Sequence, residues 1–189
     1  MRIGLLGGSF NPAHEGHSHA SELAFKQLGL DFVWWLVSPQ NPLKETQGMT
    51  SFGERLQGAR KFNRHPRVMV TDIESRLGTR FTIDTLRALK RRFPQLRFVW
   101  LMGSDNLVQI PRWRNWQDIF ANMPVAVIAR PGTALAALSS KAATRFKPAY
   151  VTPNRHIAVM SPPAWTMIDV RRRNPSSATH LRKNRASRS

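Results

Sequence analysis

Residues 7–17 read GGSFNPAHEGH, and this stretch carries the strongest structural signal in the chain. The largely apolar residues 3–6 before it predict a short buried strand. After it, apolar side chains recur at helical spacing over residues 20–28 and predict an amphipathic helix. The sequence therefore predicts a glycine-containing turn that joins a strand to a helix.

Such a turn suits a polyphosphate. Backbone N–H groups at the turn and at the helix N-terminus point toward an anion, and the helix dipole favours negative charge there. His14 and His17 are three residues apart on one helix face and can donate hydrogen bonds to phosphate oxygens. Gly16 has no side chain and lets a flat ligand approach the backbone. A metal site is the alternative, but zinc-binding histidines on a helix usually sit four apart with a third ligand.

Apolar strands alternate with amphipathic helices along the rest of the chain, a pattern typical of a parallel sheet covered by helices on both faces. We predict strands near residues 2–6, 32–37, 67–70, 97–101, 125–129 and 156–158. We predict helices over residues 17–28, 51–63, 83–93, 113–120 and 134–144. The fold class is therefore α/β, a Rossmann-like doubly wound parallel sheet forming a single domain over residues 1–189.

Composition narrows the range of partners. The chain has 29 Lys and Arg against 11 Asp and Glu, a formal net charge of +18, which favours anionic ligands. Residues 171–189 are basic without interleaved aromatic side chains, a pattern that favours a solvated basic segment over nucleic-acid binding. No apolar run approaches the roughly 20 residues of a membrane helix. The first strand begins at residue 2, so we expect no signal peptide, no membrane partner and a cytoplasmic location.

Candidate binding residues follow the predicted strands, at the edge where ligands of such sheets bind. Lys44 ends a proline-rich loop after the second strand. Thr82 is the predicted N-cap of helix 83–93, whose first N–H groups suit a carboxylate. Gly103 and Asp105 follow the fourth strand and suit a ribose. Trp113 can stack on a pyridinium ring, a contact of roughly 0.5–2 kcal/mol.

Two further basic residues complete the candidate set. Arg130 lies in an Arg-Pro-Gly turn after the fifth strand. Near the end of the chain, residues 177–182 read SATHLR, in which a serine can cap a helix start and Arg182 can bridge two phosphate oxygens.

These motifs carry a family resemblance over essentially the whole chain. Residues 8–17 are similar to the GxFxPxHxGH signature of the nucleotidylyltransferase superfamily, and residues 177–182 resemble its SxTxxR motif. The set and its order most resemble the bacterial nicotinate mononucleotide adenylyltransferases. One departure is Arg80-Phe81, which stands where that family often has Ser-Tyr, so Phe81 lacks the tyrosine hydroxyl.

The resemblance implies transfer of AMP from ATP to nicotinate mononucleotide, giving nicotinate adenine dinucleotide and pyrophosphate, with Mg²⁺ accompanying ATP. It implies catalysis by His14, His17, Lys44 and Arg182. The implied ATP-binding residues are Gly7, Gly8, Ser9, Phe10, His14, Gly16, His17, Gly103, Asp105, Arg130, Ser177, Thr179 and Arg182. The implied acceptor-binding residues are Asn11, Lys44, Thr82, Thr85, Asp105, Trp113 and Arg114.

Two alternatives remain open at this point. One is a nucleotidylyltransferase with another acceptor, such as nicotinamide mononucleotide, phosphopantetheine or glycerol phosphate. The other is a basic nucleic-acid-binding module that kept the fold, motivated by the net charge of +18. The sequence leaves the oligomeric state open.

Overall fold

Six parallel strands form one sheet in the computed structural model, which describes residues 1–39, 50–130 and 132–168. The strand order is β3-β2-β1-β4-β5-β6, with every neighbouring pair parallel. The strands are β1 (Arg2–Gly8), β2 (Phe32–Val37), β3 (Val68–Thr71), β4 (Arg97–Gly103), β5 (Val125–Ile128) and β6 (Trp165–Ile168). This is the doubly wound order, which confirms the predicted fold class.

Eight α-helices connect the strands within the described ranges. They are α1 (Glu15–Leu28), α2 (Phe52–Phe62), α3 (Ile73–Arg76), α4 (Thr82–Arg92), α5 (Ser104–Gln109), α6 (Trp116–Asn122), α7 (Ala134–Leu138) and α8 (Lys141–Arg145). Single 3₁₀ turns occupy Ile110–Arg112, Lys147–Ala149 and Ile157–Val159. No described helix is long and apolar enough to cross a membrane.

The core has two halves, one on each face of the sheet. Side chains alternate along β1, so Ile3 and Leu5 belong to one buried cluster and Leu6 to the other. Helix α4 covers the first face with Leu86 and Leu89, while Leu28 of α1 belongs to the opposite cluster. Because helices protect both faces, only the loops at the strand ends are free to build a site.

The strands β2 and β3 lie on one side of β1, and β4, β5 and β6 lie on the other. The strand order therefore reverses between β1 and β4, which is where the ligand-binding crevice of such sheets lies. Gly8 of β1 pairs with Val37 of β2, and Leu6 pairs with Leu101 of β4. The strand β1 extends through Gly7 and Gly8, so these glycines end the strand rather than form the turn that follows. A Cβ atom on Gly7 would overlap the Trp100 ring, which packs across it.

The strand predicted over residues 156–158 is wrong, and β6, the last strand among the described residues, was not predicted. Residues Ile157–Val159 form a 3₁₀ turn in which Ile157 is fully buried beside the sheet. A short apolar run has the same composition in a buried strand as in one buried helical turn, so periodicity does not separate them. The strand β6 begins at Trp165, which Ala164 alone separates from the Pro162-Pro163 pair of the preceding loop.

Four predicted helix limits also need correction. Phe81, not Thr82, is the N-cap of α4, and it provides no side-chain cap. The predicted helix 113–120 begins only at Trp116, because Asn115 before it has φ of 48° in the left-handed region. The predicted helix 134–144 is two helices, since the Ser140 hydroxyl caps a new start by accepting the Ala143 N–H at 3.2 Å. Helix α1 begins two residues before the predicted start, at Glu15.

Candidate active site

The two motif histidines form a reciprocal cap at the start of α1. His14 is the N-cap, and its Nδ1 accepts the Gly16 N–H at 3.1 Å. His17 Nδ1 in turn accepts the His14 N–H at 3.2 Å. His17 Nδ1 also lies 3.3 Å from the His14 carbonyl oxygen, which already accepts the His17 N–H at 2.9 Å. The arrangement follows the capping-box pattern, with imidazole nitrogens in place of the usual oxygens.

This cap determines which ring nitrogen can face a ligand. Because Nδ1 of each ring accepts a backbone N–H, the proton of a neutral ring sits on Nε2. The pKa of His17 is lowered to about 4, chiefly by burial and then by the nearby His14 ring and Arg130. A hydrogen bond with the His14 backbone opposes this lowering. His17 is therefore a neutral imidazole at physiological pH, and it presents an Nε2–H donor without an added positive charge.

The His17 ring is held by two aromatic side chains beneath it. Phe10, which is 1% exposed, places its ring 4.5 Å from His17 and 5.2 Å from Trp35. Trp35 Nε1 donates to the Ser21 hydroxyl at 2.9 Å, and that hydroxyl donates to the His17 carbonyl at 3.0 Å. The donor nitrogen therefore rests on a packed base anchored to β2, which limits its reorientation.

A second group of polar residues follows β4 and β5. The Arg130 Nη1 lies 3.5 Å from Asp105 Oδ2, and the Arg130 N–H donates to the Ser104 hydroxyl at 2.9 Å. Asp105 Oδ1 is buried and accepts no hydrogen bond from the described residues. A Cβ atom on Gly103 would stand 2.8 Å from Arg130 Nε and closer still to Asp105 Oδ1, so only glycine fits there without displacing the pair.

A cavity of about 360 Å³ opens at the same edge, beside the end of β1. Its walls combine the strand ends, the start of α4 and the turn after α5, and the lining residues are Gly7, Gly8, Ser9, Ser38, Glu74, Arg80, Phe81, Thr82, Trp100, Asn106, Arg112, Trp113 and Arg114. A planar ring fits between such aromatic walls, and three arginines against one acid make the cavity electropositive.

The start of α4 offers backbone donors to this cavity. The N–H groups of Asp84 and Thr85 donate to the Phe81 carbonyl at 3.0 and 3.1 Å. Those of Thr82 and Ile83 have no backbone acceptor, and no side chain caps the helix, within the described ranges. The Arg114 guanidinium lies 4.7 Å above the Phe81 ring. A carboxylate at this helix start would meet free N–H groups and nearby positive charge.

Glu74 is a cavity residue that the sequence did not single out. Its side chain is 8% exposed, and burial raises its pKa to about 7, against the lowering effect of a hydrogen bond from the Ser38 hydroxyl. A glutamate in a four-residue helix resembles any exposed acid in the sequence, so only the fold reveals its burial. The Asp72-Ile73-Glu74 spacing after β3 was the one available signal.

The predicted residues divide into four groups, one of which is the set of Gly103, Asp105 and Arg130 described above. The structure brings Gly7, Gly8, Ser9, Thr82, Trp113 and Arg114 together around the cavity, with Phe10, His14, Gly16 and His17 in the adjoining turn and helix start. Asn11 accepts the Thr50 hydroxyl at 2.7 Å, and Thr85 is 1% exposed with its hydroxyl 2.8 Å from that of Thr79, so both have protein partners. Lys44, Ser177, Thr179 and Arg182 lie outside the described residues.

A doubly wound sheet whose first strand ends in a histidine-capped, phosphate-suited turn defines a nucleotide-binding α/β protein. The chain belongs to the cytidylyltransferase-like family, whose model matches residues 5–184.

Named relatives narrow this class. The chain is 52% identical over 185 residues to a protein of Parvibaculum lavamentivorans named "Probable nicotinate-nucleotide adenylyltransferase", covering 97% of this chain and 92% of that one. It is 50% identical to a protein of the same name from Caulobacter sp. strain K31, over 89% of this chain and 90% of the relative. Its fold matches that of Plasmodium falciparum nicotinic acid mononucleotide adenylyltransferase complexed with NaAD, with a TM-score of 0.68, 18% identity, and coverage of 92% of this chain and 77% of that one.

Proposed function

We propose that this protein is a nicotinate-nucleotide adenylyltransferase of NAD biosynthesis, which transfers AMP from ATP to nicotinate mononucleotide and releases pyrophosphate. Relatives about half identical in sequence carry that name. The observation that carries the proposal is the joining of two features at one sheet edge. The histidine-capped turn adjoins a cavity that has aromatic walls, free helix N–H groups and positive charge. One half suits phosphates and the other suits a carboxylated ring.

The reaction we propose is a direct in-line displacement. A phosphate oxygen of the mononucleotide forms a bond to the α-phosphorus of ATP, and the bond from that phosphorus to the bridging oxygen breaks, releasing pyrophosphate. The attacking phosphate is already ionised near neutral pH, so this step needs no general base. Catalysis then depends on positioning and on stabilising the charge that develops on the phosphate oxygens.

His14 and His17 would serve this step as Nε2–H donors to the ATP phosphates. Since His17 is neutral, its contribution is a hydrogen bond held in a fixed direction rather than a net charge. Mg²⁺ commonly keeps several waters and binds through substrate phosphates, an arrangement that needs no cluster of protein ligands, and the described residues contain none. When bound, the ion would neutralise phosphate charge. Lys44, Ser177, Thr179 and Arg182 remain predicted phosphate ligands on the family resemblance.

Asp105 and Arg130, which follow β4 and β5, would bind the ATP nucleotide. Asp105 Oδ1 is a buried acceptor that has no partner within the described ranges, and it suits a ribose hydroxyl. Gly103 keeps this position open. On the acceptor side, Trp113 would stack on the pyridinium ring, and the Thr82 amide would bind the nicotinate carboxylate.

Use of ATP as substrate also supports a cytoplasmic location, which fractionation of the source cells would test.

A panel of acceptors tests the proposal. Purified protein is incubated with ATP, Mg²⁺ and one acceptor at a time, and pyrophosphate and the dinucleotide are both quantified. We expect turnover with nicotinate mononucleotide to exceed that with nicotinamide mononucleotide, phosphopantetheine or glycerol phosphate. Turnover with one of the other three and none with nicotinate mononucleotide would refute the acceptor assignment.

A further inference from the structure

Arg55, near the start of α2, is a buried cation that has no carboxylate partner among the residues the structure describes. Its side chain is 3% exposed, and none of the ion pairs among the described residues includes it. Instead, the guanidinium donates to four backbone carbonyls. Nε donates to Thr50 at 3.1 Å, Nη2 donates to Pro39 at 2.9 Å, and Nη1 donates to Ser9 at 2.6 Å and to Ser38 at 2.8 Å.

These carbonyls belong to separate parts of the site. Ser9 follows β1 in the turn of residues 9–14, which ends at His14 and is called here the histidine-bearing turn. Ser38 and Pro39 follow β2. Because Nη1 alone bonds both Ser9 and Ser38, a single atom joins the carboxyl ends of two adjacent strands. Ser9 and Ser38 also line the acceptor cavity. Arg55 itself is absent from the cavity wall, so it contacts the site only through the backbone.

The bond to Ser9 also orients the next peptide group. The Ser9–Phe10 peptide is trans, so its N–H points away from the carbonyl that faces Arg55. Phe10 has φ of 48°, a left-handed conformation that is uncommon outside glycine, and its ring packs 4.5 Å from His17. Arg55 therefore hydrogen-bonds the peptide group that leads into Phe10, the residue on which the His17 ring rests.

The chemistry of this contact requires an arginine. A guanidinium presents five donors in a rigid planar fork, whereas a lysine ammonium has three donors on one nitrogen and is more strongly hydrated. The four carbonyl oxygens lie around Nε, Nη1 and Nη2, and this arrangement matches the guanidinium donors. The single nitrogen of a lysine ammonium cannot reach all four.

We propose that Arg55 is a positioning residue for adenylyl transfer, which holds the histidine-bearing turn and the acceptor cavity at the separation that in-line attack requires. It acts through the Ser9 and Ser38 peptide groups and touches neither substrate. This inference rests on the proposed function for its kinetic test, but its structural claim stands on ligand-free geometry.

The experiment compares Arg55→Lys and Arg55→Met with Arg60→Met, an exposed arginine on the same helix that controls for loss of charge. Each variant is measured for kcat, for KM with ATP and with nicotinate mononucleotide, and for thermal unfolding. We expect kcat to fall about 100-fold in Arg55→Met and less in Arg55→Lys, because small misplacements of reacting groups carry costs of that order. The KM for ATP should stay within about threefold of wild type, since Arg55 itself does not contact ATP and His17 acts mainly in the transition state. Arg60→Met should match wild type.

A second readout needs no turnover. The imidazole ¹H–¹³C resonances of His17 are recorded in the ligand-free proteins and assigned with a His17 variant. We expect both Arg55 variants to shift them and Arg60→Met to leave them in place. Wild-type protein that is inactive with nicotinate mononucleotide would defeat the proposed function, and the resonances would then decide the role of Arg55.

Three results would overturn the proposal. The first is a folded Arg55 variant with wild-type kcat. The second is an unshifted His17 resonance in a folded Arg55 variant, whatever its activity. The third is failure of both Arg55 variants to fold at low temperature, which would assign Arg55 to the fold alone.

Discussion

Replacing His17 by Ala removes the proposed neutral donor, and its effect can be worked out from the contacts of the ring. The variant loses the Nε2–H aimed at phosphate, the Nδ1 acceptor for the His14 N–H, and the ring packed on Phe10. Loss of one preorganised donor to developing oxyanion charge lowers kcat by about 10²–10³, equivalent to about 3–4 kcal/mol. Loss of a capping acceptor costs stability of about 1 kcal/mol. The kinetic effect should therefore exceed the effect on folding.

The assay is the initial rate of pyrophosphate release at saturating ATP and nicotinate mononucleotide. His19→Ala is the matched control, because His19 is exposed on the same helix. We expect a kcat reduced about 10²–10³-fold for His17→Ala, a KM for ATP changed far less, and wild-type values for the control. A His17→Ala variant whose kcat stays within a factor of about three of wild type would refute the donor role.

The lowered pKa of His17 has a linked consequence for stability. In the unfolded chain the group titrates near its ordinary value, and in the folded protein near 4. Between these values the unfolded state binds more protons, so the contribution of His17 to stability is present above about pH 6.5 and is lost as the pH falls toward 4. The shift corresponds to about 3 kcal/mol. The difference in unfolding midpoint between wild type and His17→Ala should therefore change in this window, and a constant difference would contradict the burial of the ring.

Three further predictions concern the cavity and the nucleotide side. Glu74→Gln removes a carboxyl group whose pKa is raised to about 7. The raised pKa destabilises the folded protein from about pH 4.5 upward, by about 3 kcal/mol above pH 7. The variant should therefore gain more thermal stability at pH 8 than at pH 5, and equal gains would contradict the raised pKa. Trp113→Ala should raise the KM for the mononucleotide about tenfold while Trp113→Phe raises it less, and unchanged steady-state constants would exclude the stacking role. Gly103→Ala should raise the KM for ATP about tenfold, because the added Cβ atom displaces Arg130. The control is Gly58→Ala in α2, where the added Cβ atom meets nothing within 4 Å; it should leave kinetics unchanged and add about 0.5–1 kcal/mol of stability. Equal kinetics for the two variants would contradict the close fit at Gly103.

The fold was predictable to the extent that its signals are local. The strands β1, β2 and β4 are continuous apolar runs bounded by turn residues, and each was predicted within a few residues of its limits. The strand β6 was missed because its four residues follow a proline pair and have little periodicity of their own. The pairing with β5 that makes this segment a strand is a long-range property, which a local pattern does not report.

The same distinction holds at the site. The run of residues 7–17 predicted a strand, a connecting turn and a helix opened by two histidines, because these features depend on neighbouring residues. Its phosphate-binding role stays a prediction. Arg55 and Glu74 were missed because their roles depend on burial against distant segments. Each looks like an exposed charge in a polar helix. A usable signal for Arg55 was the capping box of Ser51 and Glu54, which places it in the first turn of α2.

We propose that the histidine-bearing turn and the adjoining cavity are two halves of one adenylyl-transfer site. The most direct measurement follows the label from ATP carrying ³²P at the α or at the γ position, with nicotinate mononucleotide as acceptor. We expect all of the transferred α-label to appear in nicotinate adenine dinucleotide and the γ-label to appear only in pyrophosphate. Transfer of the γ-label to the acceptor, release of the α-label as free AMP, or α-label bound covalently to the protein would contradict the proposal.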